Sequence, residues 1–182
     1  MLGATLSGYL GDVRDMIVWS PDYRFVWSPR NVDVLRRGID ARLEAATTTG
    51  MGRVEATASY SLTRVTYDRD GGRALQLRYR PRHSGALTMA LKAGGSSVSL
   101  GARYMGSRLP VPADVNRLPG FWSFEMAATT EFRLSGWWVR PFLGMDRLLD
   151  TRDSMIFAFP EPGRTFRAGL SLSRPQPRTT IR

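Results

Sequence analysis

The sequence predicts an all-β fold built as an antiparallel meander of about eight strands. Three observations lead to this prediction. Apolar and polar residues alternate with a period of two in several segments, and the connections between these segments alternate between short and long. No stretch reaches the roughly 18 to 20 apolar residues that a membrane-spanning helix needs. Together they predict transmembrane strands that form part of an outer-membrane β-barrel.

The composition sets limits on the class of protein. The chain has 182 residues, of which 42% are hydrophobic and 10% aromatic, so it is too apolar to be disordered. Its mean hydropathy of -0.25 is too low for a helical membrane protein. A membrane role must therefore depend on strands.

The clearest strand pattern covers residues 122–134. Phe124, Met126 and Phe132 fall on one side of an extended chain, whereas Glu125 and Glu131 fall on the other. A helix would mix the two sets, but a strand separates them because successive side chains point to opposite faces. Similar but shorter or weaker patterns predict the other strands, at residues 9–19, 39–45, 54–62, 87–91, 98–104, 137–145 and 166–172.

The connections between the predicted strands decide between a membrane barrel and a soluble sandwich. Short turns are expected at residues 47–52, 93–97 and 135–136, and long links at 20–37, 66–83, 103–121 and 146–164. Short turns on one rim and long loops on the other are typical of outer-membrane barrels. Aromatic residues near the strand ends are candidates for the interfacial girdles of such a barrel. They are Trp19, Trp27, Tyr60, Tyr104, Trp122 and Trp137.

The alternation also predicts which side chains face water and which face lipid. The predicted lumen-facing residues are Arg42, Glu44, Glu55, Glu125, Glu131 and Arg133. The predicted lipid-facing residues are Phe124, Met126, Phe132, Phe166, Leu170 and Leu172. We expect the two glutamates of residues 122–134 to exchange charge with Arg133, Arg42 and Arg53 across a water-filled lumen.

The net charge of +10 raises the question of nucleic-acid binding. The arginines are spread along the whole chain, and no recognition motif is present. We therefore expect no nucleic-acid partner.

The residues needed for catalysis or metal binding are scarce. The chain has no cysteine, and His83 is its single histidine. A Ser-His-Asp triad would depend on that histidine, and no Gly-x-Ser-x-Gly motif accompanies it. The carboxylates are scattered, so no metal-binding spacing is recognisable. The sequence predicts no enzyme activity, no catalytic or metal-binding residue and no cofactor.

The order of the segments resembles the C-terminal barrel region of TonB-dependent outer-membrane receptors, most closely the vitamin B12 and siderophore receptors. The resemblance covers roughly residues 9–173. Its most specific landmarks are Leu118-Pro119-Gly120-Phe121, Leu148-Leu149-Asp150 and the stretch from Pro160 to Phe166.

This resemblance implies an outer-membrane location and a receptor for active uptake of a ferric siderophore or cobalamin. It implies membrane lipid, a plug domain and TonB as partners, the last two through an N-terminal part upstream of Met1. Residues 1–174 are then expected to be the C-terminal part of an incomplete barrel without a plug, and 175–182 a basic disordered tail. Two alternatives remain, a self-contained eight-stranded outer-membrane barrel and a soluble all-β binding module.

Overall fold

The computed structural model describes residues 1–21, 24, 26–69, 73–110, 117–151 and 153–174, so the predicted tail at 175–182 lies outside the described residues. The described chain forms twelve β-strands and no helix, which confirms the predicted fold class. The strands are β1 (Leu2–Pro21), β2 (Trp27–Thr49), β3 (Gly52–Arg69), β4 (Arg73–Gln76), β5 (His83–Ala93), β6 (Ser96–Met105), β7 (Phe121–Thr130), β8 (Phe132–Leu134), β9 (Trp137–Asp146), β10 (Ser154–Ile156), β11 (Phe159–Pro160) and β12 (Thr165–Ser173). In this part of the chain we find no helix with the length and hydropathy needed to cross a membrane.

The main sheet is an antiparallel meander. Eight strands follow one another across it in the order β1, β2, β3, β5, β6, β7, β9 and β12. β4 pairs with β3, β8 pairs with β9, and β10 and β11 form a separate small ribbon. β8 continues β7 without a change of register, because Thr129 lies opposite Phe142 and Phe132 lies opposite Val139. The predicted meander of about eight strands is confirmed.

The two edges of the sheet do not meet. Within the described residues β1 pairs only with β2, and β12 pairs only with β9. A self-contained eight-stranded barrel requires the first and last strands to pair, since closure is what removes the sheet edges. The open sheet therefore argues against that alternative and fits one sector of a larger barrel.

Tight turns join the strands at one rim, as the sequence predicts. Gly94 and Gly95 join β5 to β6 with φ angles of 54° and 86°, and Ser135 and Gly136 join β8 to β9 with φ angles of 49° and 83°. Two consecutive residues at positive φ are typical of the type I′ turn, whose twist matches that of the flanking strands. Glycine adopts this conformation without the steric cost of a Cβ atom.

The opposite rim carries the longer connections, with two corrections to the sequence prediction. The segments 106–120 and 147–164 are long, as expected, but residues 20–37 are mostly strand, and the predicted link 66–83 contains the end of β3 and the whole of β4. β1 reaches Pro21, and β2 already begins at Trp27. Residues 28–37 are mostly polar or charged, and their alternation of polar and apolar residues does not continue that of residues 39–45. The sequence pattern therefore does not reveal this part of the strand. A bulge near Asp15, whose φ is 56°, shifts the register of the β1–β2 pair.

The hydrophobic side chains of the sheet are mostly exposed. The buried hydrophobic residues among those described are few, and three of them, Val34, Val65 and Tyr67, cluster on β2 and β3 beyond the shorter strands. Phe166 is 68% exposed and Leu170 is 61% exposed. A soluble module would bury such residues in a core, so the structure argues against the second alternative.

Candidate functional site: a polar face lined by ion pairs

The register of the sheet places the six predicted lumen-facing residues on one face. Residues directly opposite each other on antiparallel strands share a face, and alternate residues along a strand share it too. Following these rules from β2 to β12 groups Arg42, Glu44, Glu55, Glu125, Glu131 and Arg133 together, on what we call the polar face. The same rules place Phe124, Met126, Phe132, Phe166, Leu170 and Leu172 on the opposite side, the apolar face.

Two ion pairs on the polar face join residues two apart on one strand. On β2, the Nε atom of Arg42 donates to Glu44 Oε1 at 2.7 Å. On β3, the Nε atom of Arg53 donates to Glu55 Oε1 at 2.8 Å. Lys92 of β5 adds a cross-strand contact, with its Nζ 2.7 Å from the other oxygen of Glu55. Lys92 thus ties β5 to β3, and the three contacts line a charged surface across β2, β3 and β5 near the turn rim.

Three further ion pairs connect the remaining strands. Arg103 of β6 binds Glu125 of β7 at 3.0 Å. Arg140 of β9 donates through Nε to Glu131 at 2.8 Å. Between β12 and β9, an Nη atom of Arg167 lies 2.8 Å from Asp146 Oδ1.

These contacts correct the sequence prediction for the two glutamates of 122–134. Their partners are Arg103 and Arg140, neither of which was a candidate, and not Arg133, Arg42 or Arg53. Arg133 instead lies opposite Trp138. The sequence shows charge alternation along each strand, but it does not give the register that decides which charges meet across strands.

The ion pairs contribute little to the stability of the fold. Their side chains are between 31% and 69% exposed, and pairs this accessible contribute about 0–1 kcal/mol each. Hydroxyl groups fill the spaces between the charges; Ser61, for example, donates to Asp40 at 2.5 Å. The polar face can therefore line water, exchange hydrogen bonds with a second polar surface, or contact a charged solute.

This face carries a shallow recess. The recess has a volume of about 520 Å³, and the polar side chains around it include Asp40, Arg42, Ser59, Ser61 and Arg103. Both signs of charge border the recess, so it has the chemistry to contact either a protein surface or a polar ligand.

The apolar face carries a row of aromatic side chains at the long-loop end of the strands. Tyr104 and Trp122 lie directly opposite each other with ring centroids 5.0 Å apart. Tyr60 lies at the same level, two strands away, and its hydroxyl is 2.6 Å from Nδ1 of His83. Trp137 marks the other end of the strands, at the turn rim. These four residues lie at the strand ends, where the sequence predicts the girdles. Trp27, the first residue of β2, packs instead against the guanidinium of the loop residue Arg78 and does not join the row.

The long loops are packed together around a buried arginine that sequence reasoning missed. Arg108 is only 2% exposed, its Nη2 donates to the carbonyl of Ser154 at 2.7 Å, and its guanidinium lies over the ring of Phe121. Burial lowers the pKa of the Arg108 guanidinium, and the nearby charge of Asp153 partly offsets this effect. Arg108 therefore ties the 106–120 loop to the 147–164 loop, and its sequence context shows nothing that distinguishes it from the exposed arginines.

The described residues contain no group of three or more His, Cys, Asp or Glu side chains arranged to hold a metal ion. The absence of a metal site remains a prediction from the sequence. His83 is placed at the aromatic row by its contact with Tyr60.

Comparison with known proteins gives two further findings. Residues 1–145 match the family model described as TonB dependent receptor-like, beta-barrel. No curated protein matches the chain. The match covers most of the chain and supports the resemblance that the sequence landmarks suggest.

Two solved structures share the fold. The copper transporter OprC matches with a TM-score of 0.72 and 23% identity over 93% of this chain and 28% of its own. The ferric-catecholate import receptor Fiu from E. coli K12 matches with a TM-score of 0.63 and 19% identity over 94% of this chain and 24% of its own. The chain thus spans less than three tenths of the length of either protein.

Proposed function

The chain belongs to the TonB-dependent receptor-like β-barrel family, and from this premise we propose that it forms part of the wall of an outer-membrane receptor for active uptake. The observation that supports this most strongly is the separation of the two faces over eight consecutive strands. One face is lined by ion pairs and hydroxyl groups, and the other is apolar with aromatic residues at both ends. A barrel wall between lipid and a hydrated lumen requires this arrangement.

In this proposal the apolar face contacts membrane lipid and the polar face contacts a plug domain inside the barrel. TonB would engage a part of the receptor outside this chain. The long-loop rim would face the exterior, where the loops joined by Arg108 would offer a platform for ligand contacts. The proposal assigns no catalytic, metal-binding or cofactor-binding role to the chain and expects no nucleic-acid partner.

For the ligand we propose a metal-containing small molecule, with a ferric siderophore or cobalamin as the leading candidate. The two structural relatives are named for copper transport and ferric-catecholate import, so both carry metal cargo. A copper ion is the second candidate, favoured by the name of the relative with the higher TM-score.

The lack of cysteine allows a direct test of orientation. We would introduce single cysteines at neighbouring positions on opposite faces, Ser99→Cys on the polar face and Leu100→Cys on the apolar face. In the complete protein embedded in outer membranes, a membrane-impermeant maleimide should label the first and leave the second unlabelled. Equal labelling of both positions, or recovery of the protein in the soluble fraction without detergent, would contradict the proposed membrane role.

Ligand class is tested separately by uptake. Cells that lack the protein should lose energy-dependent accumulation of iron-55 siderophore or cobalt-57 cobalamin, and the intact gene should restore it. If neither label depends on the protein while copper accumulation does, the second candidate replaces the first. Uptake that is unaffected by loss of TonB would contradict the active-transport proposal itself.

A further inference from the structure

The sides of the β2–β3 hairpin exchange polarity near Gly38. Between the turn and this point, the apolar face carries residues such as Ile39 and Leu62. One residue pair further along, the same side carries Arg37 directly opposite Arg64. The other side changes in the opposite sense, because Val34, Val65 and Tyr67 are buried in a cluster there. Such a reversal is expected where the surroundings of a sheet change from hydrocarbon to water.

The position of the reversal fits the thickness of a membrane. On β3, the apolar-face positions from Val54 to Leu62 precede Arg64, and a tilted strand needs about 9 to 11 residues to cross the hydrocarbon. The aromatic residues Tyr60 and Tyr104 lie just below Arg64, at the depth where amphipathic rings prefer to reside. Arg37 and Arg64 therefore lie at headgroup level, on the side of the sheet that faces lipid.

Arg37 and Arg64 lack the partners that the arginines of the polar face possess. Both are exposed, and neither forms an ion pair within the described part of the chain. Side chains directly opposite on antiparallel strands have Cβ atoms about 4.5–5.5 Å apart, and like charges in this arrangement are destabilising. Asp12, one pair away on the same side, is paired with Arg14 at 3.5 Å. Among the described residues, these two facing arginines therefore have no ion-pair partner.

The chain beside Arg64 adds to this positive charge. Backbone hydrogen bonds join Thr63 to Arg82 and Val65 to Leu77, so the segment 77–82 runs alongside Arg64. This segment contains three arginines in six residues, and the guanidinium of Arg82 is held by a hydrogen bond to the side chain of Gln76. The local excess of positive charge therefore extends beyond the facing pair.

We propose that Arg37 and Arg64 form a binding site for the phosphorylated headgroup of a membrane lipid. Guanidinium groups bind phosphate oxygens with two parallel hydrogen bonds, and an anion between facing arginines removes their mutual repulsion. The apolar face immediately below, with Ile39 and Leu62, accommodates the acyl chains of the same molecule. The site rests on the proposed function, because it requires that this face of the sheet contacts the bilayer.

The test measures lipid binding by the complete protein purified from outer membranes in mild detergent. Native mass spectrometry would compare titrations with phosphatidic acid, which carries a phosphomonoester, and with phosphatidylcholine, whose headgroup is zwitterionic. A basic residue near an anionic surface changes affinity by about fivefold, so Arg37→Gln with Arg64→Gln should weaken phosphatidic acid binding about 25-fold and leave phosphatidylcholine binding unchanged. Arg37→Lys with Arg64→Lys keeps the charge but not the planar donors, and should bind with intermediate affinity.

A charge-matched control is available on the same strand. Arg30 and Arg36 lie on the other side of β2, so Arg30→Gln with Arg36→Gln should bind phosphatidic acid within about twofold of the native protein. Equal losses in the control and the test variant would overturn the site, as would an unchanged affinity in the test variant. Displacement of the lipid by millimolar inorganic phosphate would show a site for a soluble anion and also overturn it. Suppose that the cysteine labelling shows the proposed orientation, but the protein binds phosphatidic acid and phosphatidylcholine with equal affinity. In that case this inference fails while the proposed function stands.

Discussion

A single arginine placed on either face of β7 should distinguish the two faces energetically. Ala127 and Ala128 are adjacent, but Ala127 lies opposite Ser99 and Gly144 on the polar face, whereas Ala128 lies opposite Leu143 on the apolar face. Ala128 is six residues from Trp122 and six from Leu134. With a rise of about 3.3 Å per residue and a tilt of about 45°, this places it roughly 14 Å from each end, near the bilayer midplane.

The expected cost follows from that depth. Arginine on the lipid face at the midplane destabilises a transmembrane β-barrel by about 2–4 kcal/mol, so Ala128→Arg should lower the free energy of unfolding by that amount. Ala127→Arg should change it by less than about 1 kcal/mol, because the new side chain enters a recess on the polar face whose lining includes Ser99, Gly144 and Arg167. On the same face it also lies two residues from Glu125 and four residues from Glu131, which offer counter-charges.

The assay is guanidinium unfolding of the complete protein folded into phosphatidylcholine vesicles, followed by tryptophan fluorescence. The two variants have the same composition and charge, so any difference reports the face on which the arginine lies. A larger loss for Ala127→Arg than for Ala128→Arg would refute the assignment of faces. Equal and small losses would refute the membrane-spanning arrangement altogether.

Two further predictions concern a turn and the loop layer. Gly95→Ala should destabilise the protein more than Gly94→Ala in the same unfolding assay. A Cβ at Gly95 would lie 2.9 Å from the backbone oxygen of Glu131, whereas one at Gly94 meets no atom within 4 Å. Equal losses would contradict this reasoning. Arg108→Leu leaves the carbonyl of Ser154 without its donor, at a cost of about 1–3 kcal/mol, and should increase protease cleavage within the loops, whereas Arg80→Leu at an exposed site should not. Unchanged cleavage of the Arg108 variant would show that the buried guanidinium does not hold the loops together.

Some of the fold follows from local patterns that any extended chain must obey. The alternation along 122–134 predicts a strand with one polar and one apolar side, and the structure places those residues on opposite faces as the pattern requires. The glycines at 94 and 95 predict a tight turn for the same local reason, since they adopt positive φ without steric cost. Whether the polar face lines a lumen remains a prediction from the sequence.

Other features depend on which strands are neighbours, and no local pattern contains that information. The partners of Glu125 and Glu131 are 22 and 9 residues away in the sequence, and only the register of β6, β7 and β9 brings them together. The length of β2 could not be predicted from the sequence either. The strand changes polarity near Gly38, and the charged residues of its N-terminal half resemble those of a loop.

The sequence by itself determined that the chain is all-β, that each strand has one polar and one apolar side, and that tight turns join pairs of strands. Each of these features depends on residues close together in the chain. The tertiary structure decided the open edges of the sheet, the pairing of its charges, the burial of Arg108 and the facing arginines at 37 and 64. All four depend on contacts between distant segments, whose geometry is set by strand register and by how the loops pack.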